Sequence, residues 1–288
     1  YLRDFIVMLT SDKQQEFYRE NGYLIIENVL SEERLKRIRD AAEERLLFEG
    51  DQAGSEGAEH GLLVRRLCNL FSKGRVWEEL AVEPIALEAA QLTIGDDCRW
   101  QAMNFHDPVP GEGDAHQSIH ADRSFFPKSI GYITVIFTFD DMTVENGATR
   151  IVPGSHKGPW PREVLNTEEA YEVIEGEIYA VCPAGSAIFV HGDVWHSGRA
   201  NYSRSTRRAL HLGFSCPNAA PQYEIAGNLT GEMRSRLGDH CKLIPDTLDQ
   251  FGLEDLPYYY RVSAASGEDN FINSVIDGAD ISKVNRDN

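Results

Sequence analysis

Two clusters of metal-binding and charged residues carry the chemical signal of this 288-residue chain. The first is the segment His116-Gln-Ser-Ile-His120-Ala-Asp122. On a β-strand, residues i and i+2 project from one face, so His120 and Asp122 are placed to meet a single metal ion. A third ligand from a distant strand would complete a two-histidine, one-carboxylate facial set. That set leaves open positions for a chelating cosubstrate and O₂, the arrangement used by Fe(II) oxygenases. A His-x-Asp by itself arises often by chance, so the pair needs support from elsewhere.

The support lies downstream. The run Ala187-Ile-Phe-Val-His191-Gly-Asp-Val-Trp-His196 reads as a strand, a tight Gly192-Asp193 connection and a second short strand. It offers two histidines, His191 and His196, for the third position. From Arg207 to Ser215 the chain alternates. Arg208, Leu210, Leu212 and Phe214 share one face, whose apolar members suit a cover of helices; Arg207, Ala209, His211 and Gly213 share the other. Small residues on that second face leave room for a pocket, and Arg207 at its edge has the planar fork that grips a carboxylate. His116 and His120 also stand four apart, the spacing of a helical zinc pair. Gly113 before them and Ser124-Phe-Phe-Pro after them do not read as a helix, which disfavours zinc hydrolysis.

The elements that must position these groups divide the chain in two textures. Ser11 to Asn21 predicts a short helix carrying Phe17 and Tyr18, and a strand follows from Tyr23. Ser31 is a good N-cap, with Glu32 and Glu33 in the first turn, where the helix dipole favours them. Leu35, Ile38, Ala42 and Leu46 then recur at helical spacing to about Phe48. Val76 to Leu92 predicts further helix, with Pro84 as a break or new start. After Gly95 come short β-rich runs separated by turn clusters: Arg99–Phe105, Ser118–Arg123, Tyr132–Phe139, Ala148–Val152, Ile178–Val181, Ala187–His191 and Arg207–Ser215. The expected fold is mainly β with an α layer. Its core is a jelly roll with N-terminal helices packed on one sheet. One domain over 1–288 is expected, with a helical layer at about 11–95, the jelly roll at about 96–216 and a C-terminal extension at 217–288. The loops at 51–61 and 107–113 are candidate lids.

Composition excludes several classes. A net charge of −18 argues against nucleic acid and anionic membranes. No run approaches the ~18 apolar residues of a membrane helix, and no signal-peptide pattern is visible from Tyr1. Five dispersed cysteines without a CxxC fit a reducing, cytoplasmic compartment better than a disulfide framework. A small-molecule substrate is expected, and a homodimer is compatible with this composition.

Together His120-Ala-Asp122, the run from Met142 to His156, the segment His191 to His196 and the stretch Asn201 to Arg208 resemble the phytanoyl-CoA dioxygenase family of Fe(II)/2-oxoglutarate oxygenases. The likeness spans roughly Gln14 to Ser215 and is specific from about Gln101 to Phe214. It implies a double-stranded β-helix and selects His196 over His191 as third ligand. It also puts Arg207 on the distal carboxylate of 2-oxoglutarate and turns Gln101 toward cosubstrate or substrate. The cofactors implied are Fe(II), 2-oxoglutarate and O₂. Two departures stand out: Gly198 occupies a position where relatives often carry a serine for 2-oxoglutarate, and a lysine near His106 is missing. Thr134 is a candidate substitute for the lost cosubstrate contacts. Because Asp122 is retained, oxygenation is favoured over halogenation, which in related enzymes needs a small residue there.

The expected reaction is oxidation, most simply hydroxylation, of an unactivated C–H bond in a natural-product intermediate, with release of succinate and CO₂. Alternatives are an acyl-CoA or amino-acid-like substrate, a jelly-roll dioxygenase or isomerase without 2-oxoglutarate, and a metal-binding jelly-roll module without turnover. Phe125 and His211 are candidate substrate contacts. Trp195 is expected to pack, His116 to lie in a loop or beside the ligands, His156 in a turn, His60 in solvent, and the run at Tyr258 in core or interface.

Overall fold

The computed structural model describes residues 9–55, 64–111, 117–126, 131–158, 172–252 and 255–256. His60, His116 and the run at Tyr258 lie outside the described residues, as does part of each candidate lid. Helix α1 (Asp12–Asn21) opens on a reciprocal cap, in which the Ser11 hydroxyl accepts from the Gln14 amide and the Gln14 side chain accepts from that of Ser11. Strand β1 (Tyr23–Ile26) leads to α2 (Glu32–Glu49), capped by Ser31. Strand β2 (Val64–Leu67), which the sequence pattern did not single out, comes next. Pro84 does start a new helix: α3 (Arg75–Ala81) ends before it and α4 (Pro84–Thr93) begins on it.

The β-rich half supplies β3 (Arg99–Pro108), β4 (Tyr132–Thr138), β5 (Arg150–Val152), β6 (Ile178–Tyr179), β7 (Ala187–His191), β8 (Trp195–Ser197) and β9 (Ala209–Ser215). They form a six-stranded antiparallel sheet in the order β1-β7-β4-β9-β3-β2 and a three-stranded sheet in the order β6-β5-β8. The large sheet's edges come from β1 and β2, so the N-terminal segment contributes strands to the sandwich as well as helices.

Strand β4 is buried along its whole length because both faces are covered. Ile133, Val135 and Phe137 pack with Leu210, Leu212 and Phe214 under Ile85, Ala86, Ala89 and Trp77 of the helical layer. Ile136, Ile188, Val190 and Ala209 face the opposite way, against Ile151, Val194 and Ala180 of the region between the sheets. The alternation expected for β9 is observed. Helix α5 (Gly231–Leu237), in the segment that sequence left unassigned, adds Leu237 to the helix-side core.

One expected strand is absent. Residues 118–123 do not pair as a run: His120 makes a single bridge to His196, each amide donating to the other's carbonyl at 2.9 and 2.8 Å. Asp122 then opens a 3₁₀ turn (Asp122–Phe125), tied back by the Ser124 hydroxyl donating to the Ala121 carbonyl. The turn forms because Ser124 and the following aromatics leave no alternation for a partner strand to read.

Candidate active site

The bridge between His120 and His196 brings two distant segments to one point, and Asp122 completes the group. Ligand atoms of all three side chains lie within 4.8 Å of one another. Asp122 Oδ1 stands 3.6 Å from His120 Nε2 and 3.5 Å from His196 Nε2. Each imidazole is oriented by its other nitrogen. Nδ1 of His120 lies 2.9 Å from the Ser118 carbonyl, and Nδ1 of His196 lies 3.0 Å from that of Val194. A carbonyl can only accept, so Nδ1 carries the proton in both rings and the Nε2 lone pairs face the shared point. The second oxygen of Asp122 accepts from the Thr134 hydroxyl at 2.5 Å. Burial raises the Asp122 pKa, yet His196 and His120, in their protonated forms, outweigh it by charge and hydrogen bonding and hold the group well below the usual carboxylate range. Two imidazole nitrogens and one carboxylate oxygen, each fixed from behind, fit an octahedral first-row cation with one face open.

The three residues line a cavity of about 180 Å³ between the sheets. Its floor is the inner face of the large sheet. Register aligns Thr134 with Gly213 and Ala102, and Ile136 with His211 and Asn104. Gly213 is needed because a Cβ there would stand 2.6 Å from the Tyr132 hydroxyl oxygen. Arg207 lies deeper on the same wall and is 4% exposed. Its Nη2 donates to the Gly147 carbonyl at 2.7 Å, its amide donates to Asp107, and its buried Nε has no hydrogen-bond partner among the described residues. Burial pulls its pKa down to about 10, partly opposed by Asp107, so it stays cationic at neutral pH. A buried guanidinium with an unmet donor has the chemistry to accept a carboxylate.

The sequence matches the family described as phytanoyl-CoA dioxygenase (PhyH) over residues 18–209. The chain belongs to this family. As a phytanoyl-CoA dioxygenase family member it is an Fe(II)- and 2-oxoglutarate-dependent dioxygenase that uses O₂. Among its relatives is Dioxygenase af480 of Aspergillus fumigatus, 25% identical over 257 residues, covering 83% of this chain and 79% of the relative. Among solved structures, the non-heme alpha-ketoglutarate-dependent carbocyclase SnoK from nogalamycin biosynthesis is 25% identical, with a TM-score of 0.62 over 73% of this chain and 85% of that one. HygX from Streptomyces hygroscopicus, solved with nickel and 2-oxoglutarate, shares the fold at 15% identity, with a TM-score of 0.62 over 84% and 99% of the two chains.

The other residues singled out by sequence fall into place unevenly for this family member. His191 stays off the cavity: its Nδ1 accepts from the Asp193 amide at 3.1 Å and its ring lies 5.1 Å from that of His156. His156 sits in a 3₁₀ turn, as expected. Phe125 lines the cavity with its ring 5.6 Å from the His120 ring, and His211 lines it beside His106 at 4.3 Å. One expectation needs correcting. Gln101 does not reach the cavity; it is fully buried, donating to the Ala220 carbonyl and accepting from the Ser215 hydroxyl. The pairing with β9 shifts between Trp100 and Ala102, so the cavity face of β3 runs through Ala102, Asn104 and His106. Thr134 lines the cavity, and its hydroxyl donates to Asp122. Sequence reasoning missed Arg66, Asn104, Tyr132, Arg199 and Gln222, all of which line the cavity.

Proposed function

We propose that His120, Asp122 and His196 hold the Fe(II), that Arg207 takes the distal carboxylate of 2-oxoglutarate, and that the chain oxidises a C–H bond of a small natural-product intermediate. The observation that carries this reading is the His-Asp-His group and the unmet guanidinium donor of Arg207 on one cavity. Bound Fe(II) supplies the oxidative chemistry, which couples decarboxylation of 2-oxoglutarate to succinate and CO₂ with oxidation of the substrate. The residues of the chain do the positioning. The Ser118 and Val194 carbonyls fix the imidazole tautomers, and Thr134 holds Asp122. The small side chains at Ala102 and Gly213 leave space beside the ligands for the cosubstrate, and the ring of Phe125 at His120 helps to exclude water. The substrate class is supported by relatives such as SnoK, named for nogalamycin biosynthesis.

The test is metal content and succinate formation with Fe(II), 2-oxoglutarate and O₂, in the parent chain and in Asp122→Ala. The variant is expected to lose both Fe(II) retention and succinate release. Unchanged metal content would reject the assignment of Asp122.

A further inference from the structure

Side chains hold the amides that lead into β9. That strand lies between β3 and β4, and its paired register begins at Ala209, opposite His106 on one side and Thr138 on the other. Before that point Phe139 still donates its amide to the Arg208 carbonyl at 2.9 Å. On the β3 side the ladder stops, because Pro108 has no N–H to offer. Two carboxylates take over. The Arg207 amide donates to Asp107 Oδ1 at 3.2 Å, and the Arg208 amide donates to Asp140 Oδ2 at 2.9 Å. Arg207 therefore enters the cavity wall from a backbone pinned by Asp107.

Asp107 is fully buried, and its other oxygen belongs to a different partner. Oδ2 accepts from Arg65 Nε at 2.9 Å and also from Arg65 Nη2, across the β2–β3 pair. Arg65 in turn grips both oxygens of Glu43 on α2, at 2.7 and 3.0 Å. A buried carboxylate needs a cation, and Arg207 and Arg208 also lie within its field. Arg208 is fixed on Asp140 by its Nε and Nη2, each at 2.9 Å. The Arg207 guanidinium is not fixed in that way. Among the described residues it makes no ion pair, and it donates to the neutral Gly147 carbonyl. Of these three cations, Arg207 is the one that Asp107 would turn to if Arg65 were lost.

We infer that Arg65 is a positioning residue for the cosubstrate: it holds the Asp107 carboxylate away from the Arg207 guanidinium and leaves that fork open to the distal carboxylate of 2-oxoglutarate. This deepens the oxygenase reading and rests on its assignment of Arg207. A carboxylate of the protein and one of the ligand compete for a single guanidinium, and the intramolecular competitor acts at high effective concentration. Asp107 thus has two separable tasks. Oδ1 needs only to accept from the Arg207 amide, which an uncharged amide oxygen would also do. Oδ2 carries charge that must be balanced, and Arg65 balances it. Through Glu43, helix α2 of the N-terminal layer becomes part of the support for cosubstrate binding.

The test is the affinity of 2-oxoglutarate for the Fe(II)-loaded protein without O₂, measured by titration calorimetry, with thermal midpoints to verify folding. Arg65→Met is expected to weaken binding about tenfold, an effect of the size found between side chains of one ion-pair network. Adding Asp107→Asn removes the competing charge and keeps an oxygen for the Arg207 amide, so the double variant should regain most of the loss. Lost packing at Arg65 would not be repaired by a second substitution beside it. An unchanged affinity in Arg65→Met overturns the proposal, and so does a loss that Asp107→Asn leaves in place or deepens. If Arg65→Met does not fold, Arg65→Lys is read by the same criteria, with a smaller loss expected. The assignment of Arg207 is read separately: undiminished 2-oxoglutarate binding in Arg207→Ala would refute the cosubstrate reading itself.

Discussion

The hydroxyl of Thr134 donates to Oδ2 of Asp122 at 2.5 Å, leaving Oδ1 as the oxygen that faces both imidazoles. Asp122 sits at the start of a turn and has no strand to orient it. The contact from β4 therefore transfers the rigidity of the central sheet to a ligand on a loop, and a hydroxyl donating to a charged oxygen makes a charge-assisted hydrogen bond, stronger than one between neutral groups.

Replacing Thr134 by Val keeps the volume and removes that donor, so metal affinity should fall by about 10–100-fold. Thr134→Ser should retain most of it. Fe(II) or Co(II) titration of the two variants checks this, and an equal affinity in Thr134→Val would show that the turn holds Asp122 unaided.

How much of this was legible in sequence depends on the range of the interaction. The β9 strand was readable because Leu210, Leu212 and Phe214 alternate with small or polar residues, and period 2 is a local signal. His120 and Asp122 were identified through a strand that is not there; a single bridge and a 3₁₀ turn achieve the same convergence. Arg66 was invisible because Val64-Arg-Arg-Leu looks like an ordinary solvated edge, and its place on the cavity follows only from pairing with His106, forty positions along the chain. Gln101 misled for a related reason. A register shift beside it changes which residues of β3 face inward, and nothing local in the sequence announces that shift.

Arg207 is expected to matter through geometry as well as charge. Lysine retains the charge but not the fork, and it cannot both reach the Gly147 carbonyl and present two parallel donors to a carboxylate. Arg207→Lys should raise the KM for 2-oxoglutarate by at least about tenfold, and Arg207→Ala by more. Succinate formation against 2-oxoglutarate concentration measures both; equal constants for the parent and Lys variants would deny the fork a role.

Acid sensitivity should arise in part from His211. Burial, assisted by Arg207, pushes its pKa down to about 3 in the folded protein, against about 6.5 for the free side chain. The unfolded chain therefore binds the extra proton first. The stability contributed by neutral His211 is complete above about pH 6.5 and declines as the pH falls from there toward about 3. Denaturant midpoints should drop across this window in the parent chain. His211→Gln, which cannot take up a proton, should show a shallower decline, and parallel pH profiles for the two proteins would exclude the histidine as a contributor.

Gly147 tests the scaffold behind Arg207. Its φ of +87° lies in the left-handed region, and a Cβ would stand 2.6 Å from the Ala200 carbonyl oxygen. Its own carbonyl accepts from Arg207 Nη2, so relief of that clash must move the acceptor. The collision is with backbone and cannot be absorbed by a rotamer change. Gly147→Ala should therefore cost about 2–4 kcal/mol and lower the thermal midpoint by roughly 5–10 °C. At temperatures where the variant remains folded, its KM for 2-oxoglutarate should rise in the same direction as in Arg207→Lys. A lower midpoint with an unchanged KM would mean that Arg207 keeps its pose without the Gly147 carbonyl, and Asp107, accepting from the Arg207 amide, would then be the group that holds it.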